Sequence, residues 1–215
     1  GNKDVLEPHK WIASHSGKSI VVGADPFVMS PKEWILYKNA IQQSGHTLVP
    51  ITPNLVDSVW DNRPNPPKKE IYQLPLKYTG KDSREKLREI QKKLNEARLS
   101  DDLKQHVLVV SKLDEIAWLT NLRGNDIDFN PVFESYAVIF HDRAICFCRR
   151  NEENLRYFCP DWEFRAYDDY KLFIEDLSRD KNLRVWLDFS SITMGTRLAF
   201  AKNQIIEKDN PIIIS

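Results

Sequence analysis

A run of polar side chains between two apolar segments offers the clearest candidate chemistry in the sequence. The run contains amide, guanidinium and carboxylate groups together with a glycine and a proline: Asn121, Arg123, Gly124, Asn125, Asp126, Asn130 and Pro131. A guanidinium could hold a peptide carboxylate or carbonyl in a forked contact. The alternative is a fold-defining loop, in which Arg123 pairs with Asp126 or Asp128 and Asn130 caps the turn.

Other catalytic signatures do not occur in the sequence. Glycine-rich phosphate loops, a Gly-x-Ser-x-Gly elbow and a His-Glu-x-x-His pair are all missing. The five histidines are scattered along the chain: His9, His15, His46, His106 and His141. We interpret them as surface or capping residues, so the sequence predicts no catalytic residue and no metal ligand in this chain. Cys159 lacks a nearby histidine in the sequence, which gives a thiol nucleophile little support.

The elements on either side of the polar run must position it. Apolar residues at helical spacing predict a helix that begins near Leu113 and stops near Asn121. Ser111 can cap this helix, because Asp114 follows three residues later as in a capping box. Residues 135–140 then read as a buried strand. Polar loops held between apolar elements are common places for a binding site.

The rest of the chain alternates strand and helix patterns. Ser30-Pro31-Lys32-Glu33 is a strong helix start, and the helix it opens lies between two short strands. Residues 61–69 are polar and rich in proline, which indicates a connection between domains. Later strands, including a hairpin around residues 141–143, outnumber the helices between them. The sequence therefore predicts an α/β fold with a mixed β-sheet flanked by helices.

Composition narrows the class of protein further. At 215 residues and 41% hydrophobic, the chain can form one large domain or two small ones. Lys plus Arg and Asp plus Glu both number 31, so no overall charge attracts nucleic acid or a membrane surface. The sequence shows no apolar run long enough for a bilayer and no signal peptide at its start. With three cysteines at unpromising spacing, we expect reduced thiols and a cytoplasmic protein.

Several blocks carry a resemblance to a known family. Residues 114–127, Asp-Glu-Ile-Ala-Trp-Leu-Thr-Asn-Leu-Arg-Gly-Asn-Asp-Ile, are followed by Asn-Pro-Val-Phe and Ser-Tyr-Ala. Upstream lie Gly-His-Thr-Leu-Val-Pro at 45–50 and Asn-Leu-Val-Asp-Ser-Val-Trp at 54–60. These blocks resemble, in order, the first and middle domains of the three-domain aminopeptidase P enzymes, the Xaa-Pro aminopeptidases.

The resemblance implies creatinase-like N-terminal domains. Residues 1–79 would be a partial first domain with the proline-rich connection, and residues 80–215 the second, middle domain. The pita-bread catalytic domain of the family is absent from this sequence, and with it the ligands for two divalent metal ions, expected to be manganese. No cofactor is therefore expected in this segment itself.

The function implied is the non-catalytic N-terminal and middle portion of a metal-dependent Xaa-Pro aminopeptidase. Such an enzyme removes the first residue from peptides with proline second, and this segment would shape substrate access and subunit contacts. The expected partners are the chain's own C-terminal catalytic domain, the peptide substrate and a second copy of the chain in a homodimer. The alternative is a stand-alone creatinase-like binding or scaffold module without peptidase activity.

Overall fold

The computed structural model describes residues 5–15, 18–99, 104–149 and 152–214. The chain divides into two compact units. Unit 1 comprises Gly1–Pro64 with Thr193–Arg197, and unit 2 comprises Asn65–Ile192 with Leu198–Ser215.

The helices and strands alternate along both units. The helices are α1 (Pro8–Ala13), α2 (Pro31–Gln43), α3 (Leu55–Val59), α4 (Leu76–Thr79), α5 (Ser83–Leu99), α6 (Leu113–Thr120), α7 (Glu152–Phe158), α8 (Tyr170–Leu177) and α9 (Met194–Ala199). The strands are β1 (Val21–Ala24), β2 (Thr47–Pro50), β3 (Tyr72–Gln73), β4 (Gln105–Val110), β5 (Leu122–Arg123), β6 (Ser135–Phe140), β7 (Ala144–Cys148), β8 (Glu163–Ala166), β9 (Leu183–Leu187) and β10 (Ile205–Glu207). Short 3-10 turns cover Tyr167–Asp169, Lys202–Gln204 and Pro211–Ile214.

Unit 1 is built on one strand–helix–strand motif. β1 and β2 pair in parallel, with Val21 opposite Thr47. The predicted capping box of α2 is confirmed: the Ser30 hydroxyl accepts from the Glu33 amide at 3.2 Å, and the Glu33 carboxylate accepts from the Ser30 amide at 2.9 Å. The buried core of this unit is small and centres on Trp34 and Ile41 of α2 and Leu48 of β2.

Unit 2 contains a six-stranded sheet with the order β10-β9-β4-β6-β7-β8. β6 runs antiparallel to both β4 and β7, whereas the pairs β10–β9, β9–β4 and β7–β8 are parallel. The predicted mixed sheet is thus confirmed. Five strands end at the same edge, where β6 begins, and we call it the carboxyl edge.

Apolar residues cover both faces of this sheet. Along β4, Leu108 and Val110 pack with residues of α5 and α6, whereas Val107 and Val109 pack on the opposite face with residues of α8. Successive side chains of a strand point to opposite faces, so a strand buried on both sides needs apolar residues at successive positions. This explains the unbroken Val-Leu-Val-Val sequence of β4.

Some local expectations were wrong. The residue before α6 is Lys112, which makes no side-chain capping hydrogen bond, and the Ser111 hydroxyl has no hydrogen-bond partner among the described residues. Ser111 lies one position too early to reach the first amides of the helix. The sequence also predicts a helix that starts at Ser190 or Ser191. The helix α9 instead begins at Met194, since the Ser190 hydroxyl and amide donate to Asp188 at 2.6 and 2.9 Å.

Candidate functional site at the carboxyl edge

The carboxyl edge gathers most of the polar loops of unit 2. The segments that follow β4, β7, β8, β9 and β10 begin there, and the loop before β6 ends there. Ligand sites of α/β proteins commonly lie beyond the carboxyl ends of parallel strands. The predicted site residues differ in how they lie relative to this edge.

Asn121 ends α6 in the left-handed backbone conformation, with φ 56°. Its side chain is buried: the amide oxygen accepts from Lys86 Nζ at 2.6 Å, and Nδ2 donates to the Lys81 carbonyl at 2.9 Å. Asn tolerates this conformation better than most residues, which explains its use at a helix end. Asn121 therefore ties α6 to α5 and faces the protein interior.

Lys86 of α5 is buried, although lysine side chains usually lie in solvent. It is 1% exposed, and Nζ also donates to the Trp118 carbonyl at 2.9 Å and lies 4.4 Å from the centre of the Trp118 ring. Burial, assisted by the positive charges of Arg123 and Lys81, lowers the pKa of Lys86 to about 8. The ammonium group satisfies the carbonyl end of α6, where a positive charge is favourable.

Arg123 lies in β5 opposite Tyr72 of β3. Its guanidinium donates to the carbonyls of Ala117 and Leu122, the latter at 2.8 Å, and not to Asp126 or Asp128 as the fold-defining alternative expected. Burial lowers the pKa of Arg123, although its charge is retained at any ordinary pH. These contacts place the arginine at the end of α6 and engage it with the chain's own backbone.

Gly124 is required by close packing. A Cβ at this position would lie 2.8 Å from Phe133 Cβ and 3.2 Å from the Val132 carbonyl oxygen. The loop that Gly124 opens therefore folds back tightly against the residues that lead into β6.

The remaining predicted residues form a compact loop, residues 125–131, which we call the edge loop. Asn125, Asn130 and Pro131 are exposed, whereas Asp126 is half-buried. The Asp126 amide donates to the Val132 carbonyl at 3.1 Å, and its carboxylate accepts from the Glu134 amide at 3.0 Å. The edge loop thus presents amide and ring groups to solvent on a closed backbone frame.

A cavity of about 600 Å³ lies at the same edge, beyond β7 and β8. It is lined by Asn65, Pro66, Lys68, Cys148, Arg149, Ala166, Tyr167 and Asp168. Arg149 donates to Glu134 at 2.8 Å and to Asp168 at 3.2 Å, and its guanidinium lies 4.0 Å from the centre of the Tyr167 ring. Burial opposes this charge, but the two carboxylates outweigh that effect and raise the pKa of Arg149.

A second buried group lies beyond β4 and β9. Glu115 is 5% exposed, one of its oxygens accepts from Asn210, and the other is 3.5 Å from Lys112 Nζ. Burial, with the charges of Asp114 and Asp188, raises the pKa of Glu115 to about 7 although Lys112 opposes the change. Asp188 shows the reverse: hydrogen bonds from Ser190 and the Asn210 amide hold its pKa below the usual value despite burial.

The structure thus separates the predicted site residues. Asn121 and Arg123 serve the end of α6, and Gly124 packs against the residues before β6, whereas Asn125, Asn130 and Pro131 reach solvent on the edge loop. Sequence analysis missed the cavity around Arg149, because its lining comes from three separate stretches of chain. The one available signal was Lys68, which follows Pro66 and Pro67, and we assigned this stretch to the connection between domains.

Metal binding and membrane crossing can both be assessed for the part of the chain that the structure describes. No group of three His, Cys, Asp or Glu side chains there is arranged to hold a metal ion. Within the same ranges, none of the helices combines the length and the apolar character needed to cross a bilayer.

The fold and the edge together define the class: an α/β domain with a mixed sheet, whose polar loops collect where its parallel strands end. The chain belongs to the creatinase/prolidase N-terminal domain family, whose model matches residues 62–215. This family assignment agrees with the resemblance found in the sequence blocks.

Curated relatives carry a consistent name. The chain is 43% identical over 146 residues to a probable Xaa-Pro aminopeptidase P of Botryotinia fuckeliana, and the match covers 67% of this chain and 21% of the relative. A probable Xaa-Pro aminopeptidase P of Colletotrichum graminicola is 44% identical over 146 residues, or 67% of this chain and 23% of the relative. The matched part of this chain therefore spans about a fifth of the length of these relatives.

A solved structure shares the fold. The X-prolyl aminopeptidase of Caenorhabditis elegans, described as a cytosolic enzyme with a di-nuclear active site, superposes with a TM-score of 0.83. The match covers 99% of this chain and 35% of that enzyme, at 21% sequence identity. At this identity the likeness establishes the creatinase-like N-terminal fold.

Proposed function

We propose that this chain is the non-catalytic N-terminal and middle portion of a metal-dependent Xaa-Pro aminopeptidase. The observation that carries the proposal is the 43% identity over 146 residues to a relative of that name. Residues 1–79 would be a partial first creatinase-like domain with its connection, and residues 80–215 the middle domain. The enzyme would be cytoplasmic, in line with the description of the C. elegans enzyme.

The proposed substrate explains why an accessory domain would be useful. Proline in the second position of a peptide lacks an amide hydrogen and restricts the backbone of the residue before it. A site for such peptides must recognise the shape of the peptide more than its backbone hydrogen-bonding groups. In our proposal the edge loop helps wall this site, so that it limits which peptides enter, while other surfaces serve subunit contacts such as those of a homodimer.

The chemistry itself would belong to the domain that follows in the longer polypeptide. Two divalent cations, manganese in this proposal, would supply Lewis-acid activation of water there. The residues of this chain would orient the peptide and limit access to it.

The test compares two lengths of polypeptide. We expect the 215-residue chain to leave an Xaa-Pro-Xaa peptide intact with added Mn²⁺. The polypeptide extended through its downstream reading frame should cleave the same peptide and lose that activity with a chelator. An Xaa-Ala-Xaa peptide is the matched control, and it should be cleaved far more slowly.

Two results would contradict the proposal. Chelator-sensitive turnover that copurifies with the 215-residue chain would assign the chemistry to this segment. A reading frame that stops after residue 215 would favour the alternative, a stand-alone binding or scaffold module.

A further inference from the structure

Phe129 is the most exposed large apolar residue that the structure describes. Its relative exposure is 105%, and its backbone lies in the left-handed region with φ 63°. For a residue other than glycine, that backbone conformation is strained. Burying a phenylalanine ring would stabilise the protein, and here that stabilisation is not realised. The edge loop therefore holds an aromatic ring in solvent on a strained backbone.

The frame around Phe129 keeps the ring in this position. The Asn130 amide donates to the Ile127 carbonyl at 3.2 Å, and the Val132 amide donates to the Asn130 carbonyl at 2.9 Å. Asp126 closes the base of the edge loop through its bond to the Glu134 amide. A strained conformation that the surroundings hold in place is typical of a preorganised binding element.

The carboxyl edge also directs the chain as it leaves unit 2. The Trp186 indole donates to the carbonyls of Lys208 and Asp209 at 3.0 and 3.1 Å, and Lys93 Nζ donates to the Pro211 carbonyl at 3.0 Å. Together with the bond between Asn210 and Glu115, these contacts fasten residues 208–212, which we call the exit segment, to α5, α6 and β9, and the segment begins where β10 ends at the carboxyl edge.

We propose that Phe129 is an aromatic anchor that inserts into an apolar pocket on the domain that follows the exit segment in the longer polypeptide. This inference rests on the proposed function, and on a family that is by description an N-terminal domain. A domain attached at the exit segment starts on the same edge as the edge loop. A rigid aromatic side chain entering a pocket is the usual form of an interface hot spot.

The side chain beside the ring indicates the chemistry of the pocket's rim. The Asp128 side chain is 83% exposed, and its Oδ1 atom lies 3.4 Å from Lys69 Nζ in a solvent-exposed ion pair. An exposed carboxylate next to the anchor favours a basic residue on the partner surface. The proposed pocket is therefore apolar at its centre, with a cationic group at its margin.

A photo-crosslinking experiment on the longer polypeptide tests the anchor directly. The photoreactive residue p-benzoyl-phenylalanine would replace Phe129, and in a matched control it would replace Tyr157, an aromatic residue of α7 that is 85% exposed. After illumination, we expect position 129 to link to a peptide that lies C-terminal to residue 215 of the same polypeptide. The control should give no such product.

The other outcomes overturn the anchor. A link from position 129 to a second copy would make Phe129 a dimer contact, and a link to an added Xaa-Pro peptide would make it a substrate contact. Yields no higher than those of the control would mean that the ring has no partner.

A second variant provides a readout that needs no photochemistry. Glycine suits a positive φ, so Phe129→Gly should leave the thermal midpoint of the 215-residue chain unchanged or slightly higher. In the longer polypeptide the same change should raise the rate of protease cleavage just after residue 215 by about tenfold, the factor that corresponds to 1.4 kcal/mol of lost contact. Tyr157→Ala should not change that rate, and equal rates for both variants would reject the anchor.

These outcomes are distinguishable from failure of the proposed function. A longer polypeptide that cleaves Xaa-Pro peptides but shows no link from position 129 keeps the function and loses the anchor. A longer polypeptide that shows the link but cleaves no Xaa-Pro peptide supports the anchor and contradicts the proposed function.

Discussion

Arg123 shows how a residue predicted to meet a ligand can instead complete the protein's own backbone. Its guanidinium donates to two carbonyls at the end of α6 and is half-buried against Tyr72. The Ala117 carbonyl belongs to the last turn of α6, where acceptors lack helical partners, and the Leu122 carbonyl belongs to β5 just beyond that helix. Sequence pattern indicated a charged residue in a polar run, but it did not reveal that helix carbonyls lay within its reach.

The variant Arg123→Ala separates the two roles. We expect the free energy of unfolding of this chain to fall by about 1.5–3 kcal/mol, because charge-assisted hydrogen bonds to buried carbonyls are lost. Urea unfolding measures the change. Arg88→Ala, which alters an exposed residue of α5, is the control, and its free energy of unfolding should fall by much less. Unchanged stability, combined with a reduced kcat/KM of the longer enzyme for Xaa-Pro peptides, would return Arg123 to the substrate site.

At the scale of elements, the sequence predicted a structural feature well wherever neighbouring residues specify that feature. The α2 capping box and the β6–β7 hairpin follow from neighbouring residues, and both occur as expected. The β3–β5 pair was missed because its strands have two residues each and depend on a partner far away in sequence. Hydrophobic periodicity cannot indicate a strand of that length.

The exit segment also escaped prediction, for a related reason. Asn210 is a small polar residue directly before Pro211 in a stretch without a regular pattern, yet it is 1% exposed and bonded to Glu115. Its burial depends on a carboxylate that lies nearly half the chain away. Only the folded sheet brings α6 and the segment after β10 together.

Glu115 makes the stability of this connection depend on pH. Because its folded-state pKa of about 7 lies above the ordinary value of 4.5, its stabilising contribution is complete below pH 4.5 and is lost as the pH rises through about 7. A pKa difference of one unit corresponds to about 1.4 kcal/mol. We expect Glu115→Gln, which cannot ionise, to flatten the fall in unfolding free energy between about pH 5 and pH 8.

Urea unfolding at several pH values measures this difference, with Glu85→Gln on the exposed face of α5 as the control. Subtracting the control removes the contribution of histidines and other groups common to all the proteins. Parallel pH profiles for the wild-type protein and Glu115→Gln would show that the carboxyl group does not titrate in this range.

At the scale of the molecule, the two units differ in how well each covers its apolar residues. Many large apolar side chains in unit 1 are exposed: Val5, Leu6, Trp11, Ile20, Val21, Val28, Ile35, Leu36, Leu55, Val56, Val59 and Trp60. Unit 2 buries both faces of its sheet. The fold class was predictable because alternating strand and helix patterns specify it. The extent of burial in unit 1 was not predictable, because it depends on which strands pack against the apolar residues.

Limited proteolysis measures the consequence. We expect the first cuts in the proline-rich connection at 61–69 or within residues 1–53, because the buried core of unit 1 is small and backbone with few buried contacts opens at low free energy. Mass spectrometry of the early fragments locates the cuts. A first cut inside residues 107–188, the centre of the six-stranded sheet, would contradict this order of stability.

The order of strands in unit 2 has a consequence for how the protein is made. β4 pairs on one side with β6, through Val107 and Phe140, and on the other with β9, through Val107 and Val185. A ribosome releases the partner in β6 soon after β4, but the partner in β9 only after α7, β8 and α8 have emerged. During that interval one edge of the nascent central strand carries unpaired backbone groups, the kind of edge that invites aggregation. The pace of translation between residues 140 and 187, and the chaperones that bind extended chain in that interval, therefore influence how much of this protein reaches its folded state.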